Sequence, residues 1–258
     1  SSEMFCLNED ERVELARRVA RTARGRMCVV ASGHTSDAIE DQIRELTRVS
    51  QTGVDAVVMI SNRLAAKDES DEVAIANMRR ILDALPGVTF GMYECPHPYR
   101  RPLTDGMLEA MAETGRFSFI KDTCCDAALI AHRLKVLDGR IQLFNANAAT
   151  ILDSLRDGAD GFSGIMANYH PDLYVWLGEH FREQPEKARK LAAALSVMSA
   201  AESHCHPVDA KYHMDRVGVP MRLHVRNQDE SKFGPLDRRF VDDLIILEDA
   251  VRQRLAEK

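Results

Sequence analysis

Short apolar runs alternate with amphipathic segments along the whole chain. The apolar runs are rich in β-branched and aromatic residues, and most are apolar at successive positions, as parallel strands are when helices cover both faces of a sheet. This pattern predicts six strands, at residues 27–32, 56–61, 88–93, 117–121, 141–146 and 161–167.

The segments between these runs have the periodicity of helices. In residues 35–53, for example, Ile39, Ile43, Leu46 and Val49 form one apolar stripe. The same reasoning predicts further helices at about 9–23, 69–85, 104–114, 126–137, 148–156 and 171–182. A regular order of strand and helix indicates an α/β fold with a parallel sheet.

The number of strands raises a question about the architecture. No glycine-rich nucleotide-binding motif follows any strand, and the connections are short, which favours a (β/α)8 TIM barrel over a doubly wound sheet. A barrel needs eight strands, whereas six are predicted and the chain opens with a helix. We therefore expect the first two strands, roughly 40 residues, to precede this chain; an incomplete doubly wound fold is the alternative. Residues 1–182 would form barrel strands 3–8, and residues 183–258 a C-terminal helical extension.

Composition narrows the class of protein. The chain has 258 residues, enough for one sizeable core, and a net charge of −6, which gives no support for a nucleic-acid partner. Its six cysteines are scattered, without a C-x-x-C pair, as buried thiols in a reducing compartment would be. It shows no signal peptide and no apolar stretch near 18 residues. We expect a cytoplasmic protein with no membrane partner.

A lysine at the end of an apolar strand is the first candidate for chemistry. Lys121 ends the run "FSFIK", and Tyr93 ends the strand before it. Both would stand at the carboxyl-terminal edge of the sheet, where barrel enzymes carry their active sites, and neighbouring strands lie about 4.8 Å apart. A lysine desolvated in such a pocket becomes nucleophilic near neutral pH. The alternative is a lysine whose amine simply reaches solvent.

These residues belong to a larger resemblance. "YECP" at 93–96, followed 28 residues after its tyrosine by the lysine of "FIKDT", resembles the dihydrodipicolinate synthase/N-acetylneuraminate lyase family. The stretches "SSEMFCLNEDE" (1–11), the segment at 146–171 and "HPVDAKYHMDRVG" (206–218) resemble other parts of that family, so the likeness covers essentially the whole chain. The family consists of barrels that form a Schiff base with pyruvate or another 2-oxo acid.

The resemblance implies roles for individual residues. Lys121 would be the Schiff-base lysine, and Tyr93 the tyrosine that moves protons to and from the adduct. Ser1 matches a hydroxyl residue of the loop that binds the 2-oxo acid carboxylate, and Ser2 stands at the position of a glycine in that loop. No cofactor beyond Lys121 and no metal are implied, and family members are often homodimers or homotetramers.

Three more residues are candidates for binding the substrate. Ala146 and Ser163 match positions at strand ends that line the pocket mainly through backbone. Arg100 lies near, but out of register with, the position of an arginine that grips the second substrate in the synthases, and Pro98 occupies that position. Arg100 and the neighbouring Arg101 would either bind a distal carboxylate or lie in solvent.

Other departures from the family concern substrate recognition. Residues 60–70, "ISNRLAAKDES", lack the tyrosine that completes the proton relay in the synthases, and Glu94 replaces the usual asparagine. We therefore predict a Schiff-base lyase or aldolase that is not the lysine-pathway synthase. The alternatives are a dehydratase or decarboxylase of a keto-sugar acid, and a non-catalytic relative that binds a 2-oxo acid.

Several further residues have both a functional and an ordinary explanation. The spacing of the histidines and cysteine in "SHCHP" (203–207) suits no usual zinc site, even with His213 nearby. Cys124 and Cys125 are better explained as small loop residues than as redox groups. Three residues in strand-end loops either line the pocket or pack within the loops: Tyr99, Tyr169 and His170.

Overall fold

A computed structural model describes residues 3–257 and confirms the α/β fold. Six strands follow one another in a single sheet in chain order, and the first four pair in parallel. The strands are β1 (Val30–Ser32), β2 (Ala56–Ile60), β3 (Phe90–Tyr93), β4 (Phe117–Asp122), β5 (Gln142–Asn145) and β6 (Gly161–Phe162). All six predicted strands are present; closure into a full barrel stays a prediction.

Within residues 3–257 there are ten α-helices, seven of which the sequence pattern predicted individually. They are α1 (Glu9–Ala23), α2 (Ile39–Ser50), α3 (Asp71–Ala84), α4 (Asp105–Thr114), α5 (Ala127–Leu137), α6 (Ile151–Arg156), α7 (Pro171–His180), α8 (Pro185–Met198), α9 (Val208–Arg216) and α10 (Pro235–Ala256). No helix among the described residues is long and apolar enough to span a membrane.

Local sequence explains where the helices begin. Asn8 accepts a hydrogen bond from the backbone of Glu11, whose carboxylate accepts one from the backbone of Asn8, so that α1 starts with a complete capping box. Asp126 caps α5 by accepting hydrogen bonds from two backbone N–H groups. Gly115 ends α4 in the left-handed conformation, with φ of 62°, and so turns the chain into β4.

The chain divides into two compact units. The first comprises residues 7–144 and contains β1–β4 and α1–α5. Both faces of the two middle strands are buried: all five residues of β2 and the first three of β3 are shielded from solvent, whereas β1 is partly exposed. This double burial is what the continuous apolar runs of the sequence predict.

The second unit comprises residues 3–6 and 145–257 and contains β6 and α6–α10. Its core is formed by apolar side chains of the helices, and the rings of Phe162 and Tyr174 stack with centroids 3.7 Å apart. The strand predicted at 161–167 ends after Phe162 because residues 165–168 turn into a 3₁₀ helix. The predicted division at residue 182 stays a prediction.

Candidate functional site

Tyr93 and Lys121 lie side by side at the ends of β3 and β4. The two residues are register partners in the parallel ladder, and the Lys121 Nζ atom lies 4.7 Å from the centroid of the Tyr93 ring. Both side chains are partly exposed. An amine at this distance over an aromatic face makes a cation–π contact when it is protonated. The structure thus brings together the two residues that the sequence singled out for chemistry.

The surroundings of Tyr93 keep its phenol protonated. Burial raises the pKa of Tyr93, and the nearby Cys95 raises it further. The thiol of Cys95 donates a hydrogen bond to the carbonyl of His97, at 3.4 Å. A phenol with a raised pKa holds its proton near neutral pH, so Tyr93 can donate a hydrogen bond to an oxygen next to the lysine.

The row of residues before this pair is tightly packed. Gly91 and Phe119 are register partners, two residues before Tyr93 and Lys121 respectively, and therefore lie on the same face of the strands. A Cβ atom on Gly91 would lie 2.2 Å from Cζ of Phe119, so the ring occupies the space that a side chain would need. Glycine at this position lets the phenylalanine ring lie directly against the backbone of β3.

A buried ion network lies directly behind the candidate pair. The guanidinium of Arg133, from α5, donates to Glu94 Oε2 at 2.8 Å and to Asp122 Oδ2 at 2.5 Å. All three side chains are at most 1% exposed. In the sequence, Glu94 stands out only as a departure from the family, and Arg133 was not predicted. The available signal was that each candidate catalytic residue is followed directly by an acid.

The loops after β2 and β3 are joined by polar contacts. The amide of Asn62 donates to the carbonyls of Cys95, His97 and Tyr99, at 2.9, 2.8 and 2.6 Å. In return, the hydroxyl of Tyr99 donates to the carbonyls of Asn62 and Ala65. These contacts agree with the second explanation of Tyr99, packing within the loops, and they fix the segment that lacks the family's relay tyrosine.

The two arginines after β3 differ in their surroundings. Arg100 is exposed, so its guanidinium is open to a ligand or to solvent. Arg101 is buried and donates to the carbonyls of Ala66, Glu69 and Ser70 and to the carboxylate of Asp71. The expectation of a solvated side chain was wrong for Arg101, whereas binding of a substrate carboxylate stays a prediction. Its cation holds residues 66–71 in place.

The remaining predicted site residues do not belong to this unit. Ala146 and Ser163 are partly buried in the second unit, where the backbone N–H of Ser163 donates to the carbonyl of Asn145 at 2.9 Å. A Cβ atom on Gly164 would lie 2.5 Å from the carbonyl oxygen of Ala146, so the two backbones approach closely. Ser1 and Ser2 lie outside the described residues.

Two buried histidines of the second unit share one carboxylate. His170 and His213 both hydrogen-bond Glu248, through contacts of 2.8 Å and 3.0 Å, and all three side chains are fully buried. His204 stacks on the ring of Phe240 and contacts Asp237 Oδ1 at 3.3 Å. Among residues 3–257, no cluster of three or more histidine, cysteine, aspartate or glutamate side chains has an arrangement that could hold a metal.

A comparison with family models decides the relationship. Residues 1–229 match the model of the dihydrodipicolinate synthetase family. The chain belongs to this family. Curated relatives are named 4-hydroxy-tetrahydrodipicolinate synthase. The protein from Marinobacter nauticus is 22% identical over 92% of this chain and 82% of its own length, and that from Anaplasma marginale is 26% identical over 77% of this chain and 65% of its own length.

Solved structures of the family share the fold. A monomeric variant of dihydrodipicolinate synthase matches 95% of this chain and 81% of its own, with a TM-score of 0.83 and 17% identity. YagE, a prophage protein of the dihydrodipicolinic acid synthase family from Escherichia coli K12, was solved in complex with pyruvate. It matches 97% of this chain and 84% of its own, with a TM-score of 0.82 and 20% identity. At such identities the likeness concerns the fold.

Proposed function

We propose that the protein is a lyase of the aldolase type that forms a Schiff base between Lys121 and pyruvate or another 2-oxo acid. The observation that carries the proposal is the register pairing of Tyr93 and Lys121, with the amine 4.7 Å from the ring centroid. Family membership and the pyruvate complex of YagE support a 2-oxo acid as the substrate class.

The geometry suits each step of imine chemistry. Unprotonated Lys121 attacks the keto carbon, and the resulting carbinolamine loses its hydroxyl group as water, which leaves an iminium. The iminium accepts electrons when a proton or a carbon substituent leaves the neighbouring carbon, and this gives an enamine. In this proposal Tyr93, which lies beside the amine, gives its proton to the departing oxygen and later recovers one.

Within this proposal, the protein does not make the lysine precursor. The condensation of pyruvate with aspartate semialdehyde needs a relay tyrosine after β2 and a cation for the second carboxylate. The loop after β2 has no tyrosine, and Arg101 is already engaged by residues 66–71. Each missing contact costs about 1–3 kcal/mol. Arg100, which is exposed, or Arg63 and Arg101, which already have carboxylate partners, would have to compensate.

A coupled assay for the cyclic condensation product tests this restriction. We expect a kcat/KM well below about 10⁴ M⁻¹s⁻¹, the lower end of the ordinary range for enzymes. A value at or above that level would show that the protein carries out the synthase reaction with other residues.

Borohydride trapping tests the Schiff base itself. Incubation with pyruvate or another 2-oxo acid and sodium borohydride should add the mass of the reduced adduct, and peptide mapping should place it on Lys121. Lys121→Ala should abolish the adduct, whereas Lys135→Ala, which removes an exposed lysine of α5, should not. An undiminished adduct in Lys121→Ala would contradict the assignment.

Turnover then separates an enzyme from a binding protein. A non-catalytic relative would also form the imine, but it would not cleave, dehydrate or decarboxylate any 2-oxo acid.

The closed (β/α)8 barrel, a homodimeric or homotetrameric state and a cytoplasmic location form part of the same proposal. Sedimentation of the purified protein tests the assembly.

A further inference from the structure

An acid directly follows each of the two candidate catalytic residues. Tyr93 precedes Glu94, and Lys121 precedes Asp122. Because successive side chains of a strand point to opposite faces, Tyr93 and Lys121 share one face and the two acids share the other. The backbone N–H of Glu94 donates to the carbonyl of Lys121 at 3.2 Å, so strand pairing continues through this row. One row of the sheet thus has the reactive side chains in front and two carboxylates behind.

A single guanidinium binds both carboxylates. Arg133 Nη1 contacts Glu94 at 2.8 Å and Asp122 at 2.5 Å. Its Nη2 donates to the other oxygen of Glu94 at 3.2 Å and to the carbonyl of Leu103 at 3.0 Å. The guanidinium is planar, and its donors have a fixed geometry, so these contacts fix the positions of its partners relative to one another. We call Arg133, Glu94 and Asp122 the Arg133 network.

We propose that Arg133 is a positioning residue that holds the Tyr93 ring against the Lys121 amine by fixing the ends of β3 and β4 relative to each other. Its meaning for catalysis rests on the function proposed above. Proton transfer needs donor and acceptor within hydrogen-bond reach, and a displacement of about 1 Å can slow a reaction about 10²-fold. The network lies behind the reacting groups, so its loss acts on the rate rather than on binding of the 2-oxo acid.

The test compares three variants with the wild-type protein. Arg133→Met removes the guanidinium, and Arg133→Lys keeps the charge but cannot bridge all three partners. Arg12→Met is the matched control, because Arg12 is also buried, pairs with Glu45 at 2.8 Å and donates to two carbonyls, yet none of these partners lies on β3 or β4. It removes a similar buried network elsewhere in the same unit.

The measurement is the rate at which the borohydride-trapped adduct forms, as a function of pyruvate concentration. We expect the maximal rate to fall about 10²-fold in Arg133→Met and about 10-fold or more in Arg133→Lys. The half-saturating pyruvate concentration should stay within about twofold, and the final amount of adduct should report the folded fraction. Arg12→Met should lower only that final amount.

Three results would overturn the proposal. The first is a wild-type rate of adduct formation in Arg133→Lys. The others are a decrease in the Arg133 variants that affects only the final amount of adduct, and an equal decrease of the rate in Arg12→Met. Should Arg133→Met not fold, Arg133→Lys decides alone. If the wild-type protein forms no adduct, the proposed function fails, and a crystal structure of Arg133→Lys decides the positioning. An unchanged Nζ-to-ring distance of 4.7 Å would then refute it, and an increase of about 1 Å or more would support it.

Discussion

A single methyl group added at Gly91 tests the packing next to the candidate catalytic pair. In the structure, a Cβ atom on Gly91 would lie 2.2, 2.4 and 2.7 Å from three carbons of the Phe119 ring. Carbon atoms in ordinary contact are about 3.5–4.0 Å apart. The methyl group of Gly91→Ala would therefore overlap the ring by roughly 1 Å or more, and the ring must move.

The size of the effect follows from how far the ring can move. Phe119 packs edge-to-face against Phe144, with centroids 6.1 Å apart, so its retreat displaces a second aromatic ring. Overpacking a close-packed interior by one methyl group costs about 1–3 kcal/mol. We expect Gly91→Ala to lie in the upper half of that range, because the collision involves the body of an aromatic ring rather than the end of a flexible chain.

Urea denaturation followed by circular dichroism measures this cost, with two comparisons. Gly178→Ala is the control, because Gly178 lies in α7 and no atom lies within 4 Å of an added Cβ. Alanine there should stabilise the protein by up to about 1 kcal/mol. In a Phe119→Leu background, Gly91→Ala should cost at least about 1 kcal/mol less. An equal cost in both backgrounds, or a change below about 0.5 kcal/mol, would refute the reasoning.

Three further predictions concern single side chains. Tyr93→Phe should slow trapping of the adduct about 10²-fold at unchanged adduct amount, and an unchanged rate would remove Tyr93 from the mechanism. Burial alone would raise the pKa of Glu248, but its two histidine partners lower it below the ordinary 4.5, so the stability it contributes is present above pH 4.5 and lost below. Glu248→Gln should thus be less stable near pH 6, by about 3–5 kcal/mol, and the difference in urea midpoints should narrow as the pH falls below 4.5; a constant difference would contradict this. Burial and then Asp122 raise the pKa of the Cys124 thiol to about 12. Iodoacetamide at pH 8 should therefore label Cys124 at least about 10²-fold more slowly than the exposed Cys6. Peptide mapping measures both labelling rates, and equal rates would disprove the prediction.

The order of elements could be predicted from the sequence because apolar periodicity reports burial directly. The predicted helix at residues 9–23 matches α1 (Glu9–Ala23), and its start is encoded by a capping box within four consecutive residues. Strand ends were less certain. Residues 27–29 are as apolar as those after them, yet β1 begins at Val30, where the pairing with Ala56 of β2 starts. Such a boundary depends on the partner strand, which local sequence does not contain.

The candidate pair was predictable for a similar reason. Tyr93 and Lys121 each end an apolar run, and parallel strands bring such ends together, so their proximity follows from the topology. The partners of Arg101 did not follow in this way. Its contacts are backbone carbonyls about 30 residues away in the chain. Residue types do not show which backbone carbonyls need a side chain as their hydrogen-bond donor. Loop conformation decides such contacts, and the sequence does not reveal it.

The contact between Glu94 and Arg133 explains how the fold accommodates an acid directly after Tyr93. Glu94, where the family resemblance leads one to expect asparagine, is fully buried, and a buried carboxylate without a cation costs about 3–5 kcal/mol. Arg133 supplies that cation, twelve residues after Lys121, on the face of α5 that packs against the strand ends. The glutamate at position 94 is therefore tolerated because Arg133 pairs with it. It follows that Glu94→Asn should restore only part of the stability lost in Arg133→Met, because the fully buried Asp122 would still lack its cation. Urea denaturation of the double variant measures this, and full restoration would contradict it.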